Sequence, residues 1–169
     1  MEERLESLRQ EIVDKSLEAF RQGLFSGTSG NMSCRVAPDE MLITPTSVRY
    51  DVLRAQDIVR MKLDGTVLEG ALQPSSEWRM HAAVYEAYGE TNAVFHTHSP
   101  YATPGTKEVG MNAVPALFGR GGCTLANHGV LAVGEDLAQA CLRAEYIEDV
   151  AKIYAYAKAI GEPVALDTL

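Results

Sequence analysis

His96 and His98 flank Thr97 at the end of the apolar run Ala93-Val94-Phe95, and Asn127-His128-Gly129 supplies another imidazole downstream. Side chains along a strand alternate with a period of two, so His96 and His98 project from one face roughly 7 Å apart. Such a pair can chelate. With His128 it makes three neutral nitrogen donors, the set with which a catalytic zinc ion keeps its fourth position for water or substrate. Three of the four histidines of the chain fall in these two motifs. The fourth, His81, lies among Trp78, Val84 and Tyr85 and reads as a packed or hydrogen-bonded core histidine, not a ligand.

Three hydroxyl-rich turns suit an anion. Gly27-Thr28-Ser29-Gly30-Asn31 stands just before a predicted strand, where successive backbone N–H groups can be aimed at a phosphate. Ser75 and Ser76 precede a predicted helix, whose free N–H groups and dipole favour negative charge; an ordinary N-cap has the same appearance. Thr44-Pro45-Thr46-Ser47 is the third such turn. Glu77, expected in the first turn of the helix, complements the dipole there, and beside a zinc ion it becomes a candidate for proton transfer.

The elements that must position these residues divide into helical ends and a strand-rich middle. Leu5, Leu8, Ile12, Leu17 and Phe20 recur at helix spacing up to Gly23, and residues 137–160 form a long helix closed by Gly161 and Pro163. Residues 32–36, 41–44 and 58–67 alternate as strands, with Asp64-Gly65 a two-residue hairpin turn, and suggest an antiparallel sheet. A helix over residues 76–88 stops at Gly89, and the histidine strand follows. Residues 123–126 and 130–133 read as a second hairpin with His128 near its tip.

Composition bounds the function. With 169 residues and 46% hydrophobic content, one domain with a continuous core is expected. The net charge of −8 and the lack of any basic run argue against nucleic acid as a partner. The acidic start Met1-Glu2-Glu3-Arg4 carries no secretory signal, and no apolar stretch approaches membrane-span length, so the expectation is a cytoplasmic protein with no membrane association. Cys34, Cys123 and Cys141 show no CxxC spacing and read as core or wall thiols in a reducing compartment.

Taken in order, Gly30-Asn31-Met32-Ser33, Ile43-Thr44-Pro45-Thr46, Ser75-Ser76-Glu77-Trp78-Arg79-Met80-His81, His96-Thr97-His98 and Ala126-Asn127-His128-Gly129 resemble the class II aldolase/adducin family over nearly the whole chain. The Ser75–His81 stretch is most similar to the branch of zinc-dependent sugar-phosphate aldolases, and less to the ribulose-phosphate epimerase branch, which carries Asp where Glu77 stands. Adducin heads share the fold without the histidines. The resemblance implies a three-layer α/β/α fold with a central, mostly antiparallel sheet, assembled as a homotetramer with active sites at the interfaces. It further implies Zn²⁺ held by His96, His98 and His128, a small-molecule sugar phosphate bound through Asn31, Thr46, Ser47, Ser75 and Ser76 with Gly30 allowing close approach, and Glu77 as the acid/base. The implied reaction, a step of carbohydrate metabolism, is lyase cleavage of a ketose 1-phosphate to dihydroxyacetone phosphate and an aldehyde through a zinc-stabilised enediolate. An epimerase or dehydratase of the same family and a non-catalytic adducin-like assembly module are the alternatives.

The chain departs from the family pattern twice. Ser47 stands where glycine is usual. Between His98 and Gly105 there are only Ser99-Pro100-Tyr101-Ala102-Thr103-Pro104, whereas family members carry additional structure there, including a tyrosine that donates a proton across the subunit interface. Residues 1–169 thus read as a single domain in which a segment between Ser99 and Gly105 is either truly lost or not represented in the sequence, the second being the favoured reading, and that acid is not assigned to any residue here. True loss of the segment is expected to leave the histidine strand as a new sheet edge, a costly arrangement.

Overall fold

The computed structural model describes residues 2–103 and 113–163, so Gly105, the far end of the shortened interval, lies outside them. Helix α1 covers Glu2–Gln22 and turns its apolar stripe, Leu5, Ile12, Val13 and Ala19, toward the sheet. Strands β1 (Asn31–Ala37), β2 (Glu40–Ile43), β3 (Val59–Lys62) and β4 (Val67–Glu69) form a meander. Asp64-Gly65 lies in the β3–β4 hairpin as expected; the Asp64 carboxylate accepts the Thr66 N–H, and Gly65 takes φ +98°. Helix α2 (Trp78–Ala87) then leads into β5 (Ala93–Thr97). A short α3 (Ala113–Ala116), the hairpin β6 (Gly122–Leu125) and β7 (Gly129–Gly134), and helix α4 (Leu137–Ile160) complete the described chain.

All seven strands join one antiparallel sheet in the order β4-β3-β2-β1-β5-β7-β6. The period of two sorts its residues. Met32, Cys34, Ala93, Phe95, Val130 and Ala132 face one layer with α1 and α4, while Met41, Val94, Leu131 and Val133 face the other with α2 and α3. The result is the three-layer α/β/α architecture with antiparallel strands.

The edge that true loss of a segment was expected to create is not present, and two expectations change. Strand β5 pairs with β1 through Asn31↔His96 and with β7 through His96↔Leu131 and Thr97↔Val130. The chain beyond the short connection supplies β7 as a partner, so the histidine strand keeps a full ladder on both sides and is wholly buried. Helix α2 begins at Trp78, which makes Glu77 its N-cap residue, not a member of its first turn. Helix α3 and a 3₁₀ turn at Ala55–Asp57 were not anticipated; each is too short to show a periodicity, and Pro115 inside α3 argues against a helix by propensity.

Candidate active site

Each site residue is placed by a local rule. His96 is the penultimate residue of β5, has no solvent exposure, and directs its ring to the α2 side of the sheet; His98 shares its parity one residue beyond the strand. His128 is in the turn between β6 and β7, where Asn127 takes φ +53° and the His128 N–H bonds back to the Leu125 carbonyl at 3.0 Å. The three rings meet edge to face, with centroid separations of 4.7–4.9 Å. His96 Nε2 and His98 Nε2 are 3.0 Å apart.

The Glu77 carboxylate enters the same cluster. One oxygen lies 2.9 Å from His128 Nε2, and the other 3.3 Å from His96 Nε2 and 3.8 Å from His98 Nε2. These four side chains form the one group of potential metal ligands among the described residues, with donor atoms all within 4.8 Å. The donor chemistry fits a cation. His96 Nδ1 is 2.8 Å from the Val130 carbonyl, which can only accept, so Nδ1 donates there and Nε2 faces a Glu77 carboxylate oxygen at 3.3 Å. A proton or a metal ion between Nε2 and that oxygen satisfies both atoms. His96, His98 and His128 would hold the metal, with Glu77 as a neighbour or fourth donor; the sequence suggested Glu77 only as a nearby acid/base.

Electrostatics hold Glu77 in its charged form. Burial alone pushes its carboxyl up, but hydrogen bonds with His96, His98 and Asn31 outweigh that and hold it well below the usual carboxylate range. It is therefore ionised at neutral pH. His128 is pushed down from the ordinary imidazole value by burial and by His96, which keeps its ring neutral and able to ligate.

The predicted phosphate residues converge through the backbone. Thr44 hydrogen bonds Met32, with its N–H to the Met32 carbonyl at 3.0 Å and its hydroxyl accepting the Met32 N–H at 3.2 Å. An isolated bridge pairs Pro45 with Pro74, and the Thr46 N–H to Gln73 O and Ser75 N–H to Thr44 O bonds, both 3.0 Å, flank it. Thr28, Ser29, Gly30, Asn31, Pro45, Thr46, Ser75, Ser76, Glu77 and His98 line one pocket of about 260 Å³. Gly30 is held at φ +83° with the Phe25 ring and the His96 carbonyl so close that no Cβ fits; the close approach in this structure is to the protein itself. Ser75 accepts the Glu77 N–H through its hydroxyl at 3.3 Å, in the turn before the helix, while its side chain also borders the pocket. Ser47 does not line the pocket. It is exposed at φ +62°, its hydroxyl 3.5 Å from that of Thr46, in the left-handed conformation that glycine adopts most easily.

Two residues at the site were missed from sequence. Glu148, buried on α4, accepts the N–H groups of Tyr101 at 2.9 Å and Ala102 at 2.8 Å and so anchors the chain leaving His98. The available signal was its phase: it continues the stripe Leu137, Ala140, Cys141 and Ala144, where a carboxylate is out of place unless it has partners. Ser33 is hydrogen-bonded to His81, which is fully buried and stands outside the ligand cluster as expected.

Comparison with known proteins gives a consistent context. Residues 10–104 and 100–155 match the family described as Class II Aldolase and Adducin N-terminal domain. The L-fuculose phosphate aldolase of Escherichia coli (strain K12) is 36% identical over 188 aligned positions, which cover 93% of this chain and 86% of the relative. Because that alignment is longer than the 169 residues here, the relative carries positions without a counterpart in this chain. The L-ribulose-5-phosphate 4-epimerase UlaF of Salmonella paratyphi C is 37% identical over 117 positions, covering 67% of this chain and 49% of the relative. A solved structure of an L-fuculose 1-phosphate aldolase superposes with a TM-score of 0.86 at 33% identity, covering 95% of this chain and 91% of that one. Sequence match, superposition and the convergence of the histidines agree, and the chain belongs to the class II aldolase and adducin family.

Proposed function

We propose that the protein is a zinc-dependent aldolase that cleaves a ketose 1-phosphate of the L-fuculose 1-phosphate type to dihydroxyacetone phosphate and an aldehyde. The observation that carries this reading is one shared wall: Glu77 and His98 belong both to the ligand cluster and to the hydroxyl-lined pocket. A phosphate held in the pocket would set the adjoining carbons of the same small molecule against the carboxylate. Similarity to the fuculose-phosphate aldolase of E. coli supports the substrate class.

Zn²⁺ held by His96, His98 and His128 would supply Lewis-acid stabilisation of the negative charge that develops on the substrate oxygens. The residues do the rest. Gly30, Asn31, Thr46, Ser75 and Ser76 bind the phosphate with hydroxyls and N–H groups, and Ser47 shapes the turn beside them. In the condensation direction the ionised Glu77 takes a proton from C3 of dihydroxyacetone phosphate. In cleavage the ionised Glu77 takes the proton of the C4 hydroxyl as the C3–C4 bond breaks, the electron pair of that bond stays on C3, and Glu77 then delivers the proton to C3. A homotetramer with interface sites would complete the pocket. The exposed apolar residues Tyr146, Val150, Ile153, Tyr154 and Ile160 of α4 support assembly. Free Cys34, Cys123 and Cys141 suit a reducing compartment such as the cytoplasm. No described helix is long and apolar enough to cross a membrane. Within this reading residues 1–169 are one domain.

Incubating the protein with L-fuculose 1-phosphate and with L-ribulose 5-phosphate tests the proposal. Release of dihydroxyacetone phosphate from the first supports it; epimerisation of the second without cleavage of the first favours the epimerase reading, to which the UlaF similarity gives weight. A non-catalytic assembly module predicts neither product and no bound metal.

A further inference from the structure

Behind Glu77 a buried chain of hydrogen bonds runs from Asn31, at the border of the phosphate pocket, to residues outside both the pocket and the metal cluster. Asn31 Nδ2 is 2.7 Å from Glu77 Oε2, Asn31 Oδ1 is 2.5 Å from His81 Nε2, His81 Nδ1 is 2.6 Å from the Ser33 hydroxyl, and that hydroxyl is 2.8 Å from the Tyr85 hydroxyl. Asn31, Ser33, His81 and Tyr85 are all buried.

The direction of every proton in the chain follows from its end. An ionised carboxylate accepts only, so Asn31 must turn its amino group to Glu77 and leave its carbonyl toward His81. A carbonyl also accepts only, so His81 Nε2 carries the ring proton. Burial, then repulsion from His96, pushes His81 down to about 3, so the ring is neutral and has a single N–H. Nδ1 is therefore bare, Ser33 donates to it, and Tyr85 donates to Ser33. The opposite tautomer would reverse the polarity: Asn31 would have to offer its amino group to His81 and set its carbonyl oxygen against the Glu77 carboxylate. Strand pairing fixes the Asn31 backbone opposite His96, so only the rotation of its amide remains to be decided, and His81 decides it.

We propose that His81 is a positioning residue for proton transfer: as the Nε2–H tautomer, set by Ser33 and Tyr85, it locks the Asn31 amide with its N–H toward Glu77 and so aims the carboxylate into the pocket. This rests on the reading of Glu77 as the base. A positioned group displaced by about 1 Å loses on the order of 100-fold in rate, so the effect belongs in kcat, with KM little changed.

Two substitutions separate the nitrogens of His81. His81→Gln keeps a donor near the Nε2 position; His81→Asn keeps an acceptor near Nδ1 and loses the donor to Asn31. Expected is a kcat loss of about 100-fold in His81→Asn and a clearly smaller loss in His81→Gln, with equal zinc content and KM in both. Equal losses, or the larger loss in His81→Gln, overturn the proposal. A second measurement is independent of turnover: long-range ¹H–¹⁵N correlation spectra of histidine-labelled wild-type protein report the tautomer of His81. Nε2–H supports the proposal and Nδ1–H overturns it. If the wild type cleaves no sugar phosphate, the aldolase reading fails while the tautomer still decides the hydrogen-bond chain.

Discussion

Gly129 lies so close to Thr97 that a Cβ on it would stand 1.7 Å from the Thr97 carbonyl oxygen. This contact joins the turn carrying His128 to the residue between His96 and His98, and explains why Asn-His-Gly, and no bulkier ending, follows the β6 strand. Gly129→Ala must push the two strands apart. It is predicted to destabilise the fold by about 3 kcal/mol and to weaken metal retention, measured by urea unfolding and by metal analysis of the purified variant; retention of both would contradict the argument.

Removing one imidazole tests the donor set. His98 is half-buried and its Nε2 meets the cluster members His96 and Glu77, so His98→Ala opens the cluster with little cost to the core. The expected outcome is a folded protein, unchanged in thermal melting of its metal-free form, that no longer retains zinc after dialysis.

Glu77→Gln keeps the shape of the side chain and removes the base. General-base catalysis contributes on the order of 10²–10⁴-fold, so kcat should fall by that range while zinc remains bound through the histidines. Full activity in this variant would remove Glu77 from the mechanism.

Stability should depend on pH through His81. Its folded value, about 3, lies below the unfolded value of 6.5, chiefly because burial disfavours the charged ring. Between these values the unfolded chain binds the extra proton, so stability is full above pH 6.5 and falls as pH drops toward 3, by at most about 1.4 kcal/mol per pH unit from this group. Denaturant unfolding at pH 7 and pH 5 should show a steeper loss in wild type than in His81→Gln. Identical slopes would place His81 in contact with water.

Ser47 at φ +62° carries the strain of a left-handed residue. Ser47→Val is predicted to destabilise by about 1–3 kcal/mol because branching at Cβ worsens that strain, whereas Ser47→Gly should not lower the melting temperature.

Much of this was legible from sequence where one rule sufficed. The alternation through Phe95-His96-Thr97-His98 placed both imidazoles on one face, Asp64-Gly65 marked its hairpin, and His81, surrounded by apolar spacing, read correctly as a core residue. What could not be read depends on contacts between distant segments. The entry of Glu77 into the histidine cluster follows from α2 starting two residues later than expected, at Trp78. The bonding of Glu148 to Tyr101 and Ala102 spans two elements separated by more than forty positions of chain. The interior position of β5 depended on which strand would take the place beside it, a matter of pairing that local pattern does not encode.

The most direct test of the central claim measures dihydroxyacetone phosphate released from L-fuculose 1-phosphate and related ketose 1-phosphates by zinc-loaded protein, by protein treated with a chelator, and by treated protein resupplied with zinc. The account predicts cleavage that is lost with the chelator and restored by the metal. Zinc bound to the protein with none of these substrates cleaved would contradict it.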